Sequence, residues 1–343
     1  MTIRKSTPPS LIIFLKKLTK QKLMANDSVY QEIINKLATA RKVFLATHEN
    51  PDGDAVASIC AFAEWLRLLG KEFYLFCADE PEDGFHFLPQ MEKINRRMEE
   101  IDFDDFDLII VLDCGALHRT KIETEIKASN LVIINIDHHI SNNQFGSINL
   151  VDAEAASTTQ LLYELFKFSK LEISRQLASC ILTGIITDSG SFAYAATNAN
   201  TFSVASEMLT RGANVRAIVN YTEKNKNLAT LKAWGYALSQ MHYNADYDIA
   251  YTVITQADLI KFNITKQDLE GLASFLNNLK DAKIILVLYE LGDGRVKGSL
   301  RTNLINVDVA KLAQVFGGGG HRKAAGFEVE GKLAQAGGGW RIE

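Results

Sequence analysis

His48-Glu49-Asn50-Pro51-Asp52-Gly53-Asp54 places an imidazole and the Asp52 and Asp54 carboxylates directly after the apolar run Val43–Thr47. Nitrogen and oxygen donors gathered at the end of a strand suit Mn²⁺ and related divalent ions. Three later segments follow the same design: Asp113 after Val111-Leu112, Asp137-His138-His139 after a run ending at Ile136, and Asp188 closing Ile185-Ile186-Thr187. Pooled, they hold enough ligands for two cations, and one carboxylate could bridge them. Two ions roughly 3.5 to 4 Å apart lower the pKa of a shared water and brace a phosphoryl oxygen during in-line displacement, which is hydrolysis of a phosphate ester. Such chemistry needs no serine or cysteine nucleophile, and the chain has no Gly-x-Ser-x-Gly elbow.

Each piece alone has a plainer explanation. An isolated Asp-Gly-Asp is more often a turn in which Asp52 bonds local backbone. A His-His pair at a strand end is commonly polar surface, Asp113 could cap a helix, and Asp188 could be a loop residue capping a nearby helix. None of these explains four such sets, three of them at the ends of apolar strands.

The elements that must position these residues are legible as alternation. From about residue 29 to 150, short apolar runs (Val43–Thr47, Phe73–Cys77, Leu108–Leu112, Leu131–Ile136) alternate with helix-period stretches, as in a parallel α/β sheet. Ligands of such a sheet collect outside the carboxyl ends of its strands. Val56, Ile59, Phe62, Ala63 and Leu66 are spaced as the buried face of a helix over Ala55–Leu69, with Gly70 as its stop. Helices are expected at Ser157–Phe168, Ser174–Thr187 and Thr201–Arg211. A further helix, Leu228–Gln240, follows the polar stretch Tyr221–Asn227. Beyond it come a strand at Ile249–Ile254, a helix near Leu269–Leu279 and a hairpin, Ile284–Tyr289 with Val296–Arg301, turning at Gly292-Asp293-Gly294. A helix at Val307–Phe316 leads into Gly317–Gly320 and His321.

At 343 residues two domains are the first expectation. We expect an extension over 1–25, an N-terminal parallel-sheet domain over 26–220 with helices on both faces, a linker helix within 221–241, and a smaller α+β domain over 242–343. Residues 1–23 carry six basic and no acidic side chains, and Met24 precedes a plausible helix cap, so translation is expected to start there. The net charge of −4 disfavours a protein that holds long nucleic acid by counterion release, whereas Arg295, Lys297, Arg301, Lys311, Arg322 and Lys323 face only Asp308 between 295 and 323 and could attract phosphate. The four cysteines, Cys60, Cys77, Cys114 and Cys180, form no Cys-x-x-Cys pair and are expected as buried free thiols in a reducing cytoplasm. Nothing in the sequence suggests a membrane partner.

The four motifs resemble those of the DHH phosphoesterase superfamily, and Gly317–His321 resembles the glycine-rich motif of its associated C-terminal domain. The likeness runs from about 40 to 330 and is closest to the two-domain branch acting on short oligoribonucleotides and on 3′-phosphoadenosine 5′-phosphate (pAp). It implies two Mn²⁺ ions, with Mg²⁺ or Co²⁺ as alternatives, and a site in the cleft between domains. His48, Asp52 and Asp113 would hold one ion and Asp54, Asp113, His138 and Asp188 the other. Asp137 would hold His138 or His139, and His139 would contact the scissile phosphate. Arg301, Gly318, Gly319, Gly320 and His321 would bind substrate, the glycines through backbone N–H groups in a nest. Without the resemblance the glycine run reads equally well as a hinge. Ala57, where relatives often have glycine, and the tail Gly337–Trp340, expected as frayed or peripheral, depart from the pattern.

The expected activity is hydrolysis of short RNA and pAp. Alternatives are a linear or cyclic dinucleotide phosphodiesterase, an exopolyphosphatase or pyrophosphatase, and a nucleotide-binding regulator without catalysis. A homodimer is compatible with the sequence but not required by it.

Overall fold

Near-continuous aliphatic runs mark strands covered on both faces, and the computed structural model of the protein has them in that setting. It describes residues 26–98, 101–194, 196–222, 226–337 and 339–343; the expected extension over 1–25 and the start at Met24 lie outside the described residues. After helix α1 (26–39) come β1 (Lys42–Ala46), α2 (Gly53–Leu68), β2 (Glu72–Phe76), β3 (Ile94–Asn95), β4 (Leu108–Leu112), α3 (Glu123–Ala128), β5 (Ile133–Asp137) and β6 (Ile148–Val151). The six strands pair in parallel in the order β3-β2-β1-β4-β5-β6. The chain therefore leaves β1 in one direction to reach β2 and crosses β1 in the other to reach β4. That reversal opens a crevice at the carboxyl ends of β1 and β4, where ligands of open α/β sheets bind.

Helices α4 (Thr158–Phe168), α5 (Arg175–Asp188), α6 (Ala199–Thr210) and α7 (Val215–Thr222) complete this unit. Every residue of α2 from Gly53 to Leu66 is buried, as befits a helix held between the sheet and α4 and α5. One core joins α1, α2, α4 and α5 to the sheet, while Phe44, Ile109, Leu117 and Ile126 pack on the opposite face beside α3. All four cysteines are buried and free. Gly70, at φ +66°, ends α2 as expected.

By its own contacts the chain divides after Lys224. The second unit contains α8 (Leu228–Ser239), β7 (His242–Asn244), β8 (Ile249–Ile254), α9 (Gln256–Phe262), α10 (Leu272–Leu276), β9 (Ile284–Glu290), β10 (Arg295–Arg301), α11 (Val309–Val315), β11 (Gly319–His321), β12 (Ala324–Glu330), β13 (Leu333–Ala336) and β14 (Gly339–Ile342). Its main sheet runs β11-β12-β10-β9-β8-β7, antiparallel except for the β8–β9 pair. Segment 221–241, expected as a linker helix, ends α7 and contains α8, whose Ala233 and Ala237 are buried in the second core with Leu272 and Ile285.

Two expectations are corrected here. The helix near Leu269–Leu279 is only Leu272–Leu276, because a Thr265/Asp268 capping box starts a separate short turn over Lys266–Leu269 and Gly271 at φ +86° breaks the continuation. The tail is not frayed: β13 and β14 form a hairpin, and Leu333 and Trp340 pack on Val253 and Val296. Among the described residues no helix is long and apolar enough to cross a membrane.

Candidate metal centre

Three strand ends and one helix end deliver candidate ligands. His48 lies two residues past β1, Asp113 immediately follows β4, Asp137 ends β5 with His138 and His139 after it, and Asp188 is the last residue of α5. Three groups of donors have ligand atoms within 4.8 Å of one another: His48, Asp52 and Asp113; Asp54, His138 and Asp188; and Asp113, His138 and His139. Asp113 is common to the first and third. Its Oδ2 is 3.7 Å from His48 Nε2, and its Oδ1 is 3.7 Å from His138 Nε2. His138 Nε2 is 3.1 Å from Asp188 Oδ2.

Each donor is held by its neighbours. Asp52 caps α2, its Oδ1 accepting from the N–H groups of Asp54 and Ala55 at 3.1 Å. The turn-like role and a ligand role are therefore compatible, since Oδ2 is not used by the cap. Asp54 is fully buried, and its oxygens accept from the N–H groups of Thr158 at 2.5 Å and Thr159 at 3.1 Å at the start of α4. A helix N-terminus is a natural seat for such an anion. Thr158 Oγ1 also donates to Asp113 Oδ1 at 2.8 Å. Asp113 itself adopts φ +54°, a region uncommon outside glycine but tolerated by aspartate.

The imidazoles are oriented so that one nitrogen is engaged away from the cluster. His48 Nδ1 is 2.6 Å from the Glu49 carbonyl and His138 Nδ1 is 3.2 Å from the Ala155 carbonyl, which leaves Nε2 of each as the ligating atom. His139 Nδ1 lies 2.7 Å from Asp137 Oδ1, and Asn142 Nδ2 donates to Asp137 Oδ2 at 2.6 Å. Of the two partners expected for Asp137, the one it holds is His139.

Charge in this cluster is unevenly balanced. Burial raises the Asp54 carboxyl well above its usual range, and the Asp113 and Asp188 carboxylates add to the rise. Asp188 is raised in the same way, by burial and then by Asp52 and Asp113. Burial also opposes ionisation of Asp113, but His48, His139 and His138 outweigh it and hold Asp113 well below the ordinary value. His48 and His139 are lowered by burial and raised more strongly by carboxylates: Asp113 for His48, and Asp137 for His139, which is carried to about 10. Carboxylates that resist ionisation because they are buried and, secondly, crowd one another are what a divalent cation relieves. The donor set of imidazole nitrogens and carboxylate oxygens, without thiolate, fits such an ion.

Sequence reasoning passed over the supporting residues. Gly53 and Gly184 let α2 and α5 touch, since a Cβ on Gly184 would lie within 2.1 Å of Asp54 Oδ1 and one on Gly53 within 2.4 Å of Thr187. Thr158, Thr159 and Asn142 were also missed, and the Ser157-Thr158-Thr159 start of a helix was the one available signal for an anion seat.

The second unit holds the remaining candidates. Arg301 donates from Nε to Ser274 Oγ at 3.2 Å and from Nη1 to the Leu300 carbonyl at 2.9 Å. The glycine run is built structure, not a hinge. Gly317, at φ +75°, and Gly318 close α11, donating to the carbonyls of Gln314 and Ala313 at 3.0 and 2.9 Å. Gly318 also packs against the Gly326 carbonyl too closely for any Cβ. Gly319, Gly320 and His321 form edge strand β11, paired with Gly326, Ala325 and Ala324. The Gly318 N–H of the expected nest is thus committed to the helix end.

A family profile described as "DHH family, N-terminal domain" matches residues 42–185, and one described as "DHHA1 domain" matches 246–336. A Thermus thermophilus protein named bifunctional oligoribonuclease and PAP phosphatase NrnA is 28% identical over 289 residues, 84% of each chain. The Bacillus subtilis protein of the same name is 26% identical over 302 residues, covering 87% of this chain and 92% of its own. Among solved structures, an exopolyphosphatase-related protein from Bacteroides fragilis superposes with a TM-score of 0.82 at 28% identity, over 89% of this chain and 92% of that one. Ligand motifs, the parallel sheet and the two matched segments lead to one assignment: the chain carries a DHH-family N-terminal domain over residues 42–185 and a DHHA1 domain over 246–336.

Proposed function

We propose that the protein is a divalent-metal-dependent phosphohydrolase that degrades short oligoribonucleotides to mononucleotides and dephosphorylates pAp. The observation that carries this reading is Asp113, whose two oxygens face His48 on one side and His138 on the other, so that one carboxylate can serve two ions. His48, Asp52 and Asp113 would hold the first, and Asp54, Asp113, His138 and Asp188 the second, with Mn²⁺ preferred over Mg²⁺ or Co²⁺. Bound ions would acidify a water and offset the charge that builds on the phosphoryl oxygens.

The chain's own groups supply the rest. His139, carried to about 10 by its pairing with Asp137, keeps its proton near neutral pH and offers Nε2–H to an oxygen of the scissile phosphate. Asn142 steadies Asp137 from the other side. In the second unit, Arg301 and the outer edge of β11 at Gly319, Gly320 and His321 are the proposed contacts to the remainder of the nucleotide. The names of the relatives supply the substrate class, and the net charge of −4 agrees with short substrates in preference to long nucleic acid.

The test is turnover by purified protein with Mn²⁺ on di- to pentaribonucleotides and pAp, run beside linear and cyclic dinucleotides, pyrophosphate and polyphosphate. We expect the first two to be hydrolysed fastest. Hydrolysis of polyphosphate with none of either would replace this reading with the one suggested by the solved relative's title.

A further inference from the structure

Several cations of the first unit are matched to carboxylates, among them Arg67 to Glu64, Lys121 to Glu49 and Arg211 to Glu207. Arg119 stands beside the donor cluster, its Nη2 close to the His48 ring. It lies on a short turn, Leu117–Thr120, that begins four residues after Asp113. Among the described residues it forms no ion pair, although it borders an acidic cluster. Its Nη2 is 3.3 Å from His48 Nδ1, but that nitrogen is closer to the Glu49 carbonyl, at 2.6 Å, and donates its proton there. Two donors facing each other make no bond, so the guanidinium has no acceptor from the imidazole.

Its position is nevertheless fixed. Glu49 N–H donates to the Arg119 carbonyl at 2.7 Å, and Lys121 Nζ meets Glu49 Oε2 at 2.7 Å, which staples the His48–Asn50 segment to the turn. The side chain is half-buried one imidazole away from the His48, Asp52 and Asp113 group. A half-buried guanidinium without a protein anion can be completed by an anionic ligand, and its planar fork matches phosphate oxygens.

We propose that Arg119 binds the substrate's phosphate, a nucleotide monoester or diester, at the rim of the His48, Asp52 and Asp113 group. This deepens the function proposed above and rests on it for the nucleotide, but not for the phosphate. The test is calorimetric titration of inorganic phosphate into Mg²⁺-loaded full-length protein, comparing wild type with Arg119→Gln and Arg119→Lys, and a parallel Mn²⁺ titration of the metal-free proteins. We expect Arg119→Gln to weaken phosphate binding by roughly tenfold or more, with Arg119→Lys between it and wild type because it keeps the charge and loses the fork. Mn²⁺ affinity should stay within about threefold in both variants, since Arg119 is not among the ligands. Unchanged phosphate affinity in the variants, or no phosphate binding by wild type, overturns the proposal. So does an equal loss of Mn²⁺ affinity, which would make Arg119 a support for His48. Should Arg119→Gln fail to fold, the Lys variant gives the same decision. Arg119-dependent phosphate binding without turnover of RNA or pAp would instead reject the substrate reading and leave this one standing.

Discussion

Asp113 concentrates the chemistry of the centre in one side chain. Its backbone N–H donates to the Ile136 carbonyl at 2.9 Å, its carboxylate accepts from Thr158 Oγ1, and its φ of +54° turns it toward three imidazoles. Removing a group that faces both ligand sets should cost more than removing a support. We expect Asp113→Ala to abolish turnover and to eliminate tight binding of both ions in a Mn²⁺ titration. Thr158→Val, which leaves the carboxylate but removes its hydrogen bond, should lower metal affinity by about 10- to 100-fold. His139 gives a pH signature. Its folded value, about 10, lies above the ordinary 6.5, so its pairing with Asp137 contributes stability that is complete below 6.5 and is lost as pH rises through about 10. Denaturant titrations of metal-free protein across that window should show this loss, and Asp137→Asn should flatten it. A slope unchanged in the variant would mean that another group titrates there.

Among elements, the α2–α5 crossing decides whether Asp54 and Asp188 can meet, and glycine makes it close. An alanine Cβ at Gly184 would overlap Asp54 Oδ1 and Thr159 Oγ1, so Gly184→Ala should cost about 1–3 kcal/mol of overpacking and weaken metal binding with it. Gly235 in α8 is the contrast: a Cβ there meets nothing within 4 Å, so Gly235→Ala should stabilise by about 0.5–1 kcal/mol. Paired thermal denaturations would separate the two signs. The same comparison explains what was legible in the sequence. The strands β1, β2, β4, β5, β8, β9 and β10 and the helices that begin after Ser157 and Ser174 are local signals, and they appear where residue type and spacing put them. The supports are not local: Thr158 reaches Asp54 across 104 residues, and no periodicity encodes that meeting. The tail hairpin escaped notice because Leu333 and Trp340 are apolar positions whose partners, Val253 and Val296, lie on other strands.

At the scale of the whole molecule, the ligand groups all belong to one of the two units, while the glycine run and Arg301 belong to the other. The units also have separate cores, one built on α2 and α5 and the other on β9 with α8 and α10. A cation that binds only the folded first unit stabilises that unit by mass action, by about 2.7 kcal/mol at a free concentration a hundred times its dissociation constant. It should also offset the burial and the neighbouring carboxylates that raise Asp54 and Asp188. Scanning calorimetry should therefore resolve two transitions, one moving upward as Mn²⁺ is added and one staying in place. Asp113→Ala should remove the movement without shifting the stationary transition. A single transition that rises as a whole would show that the second unit depends on the first for its stability, and the sequence-level division at the end of α7 would then describe the chain's layout but not its folding.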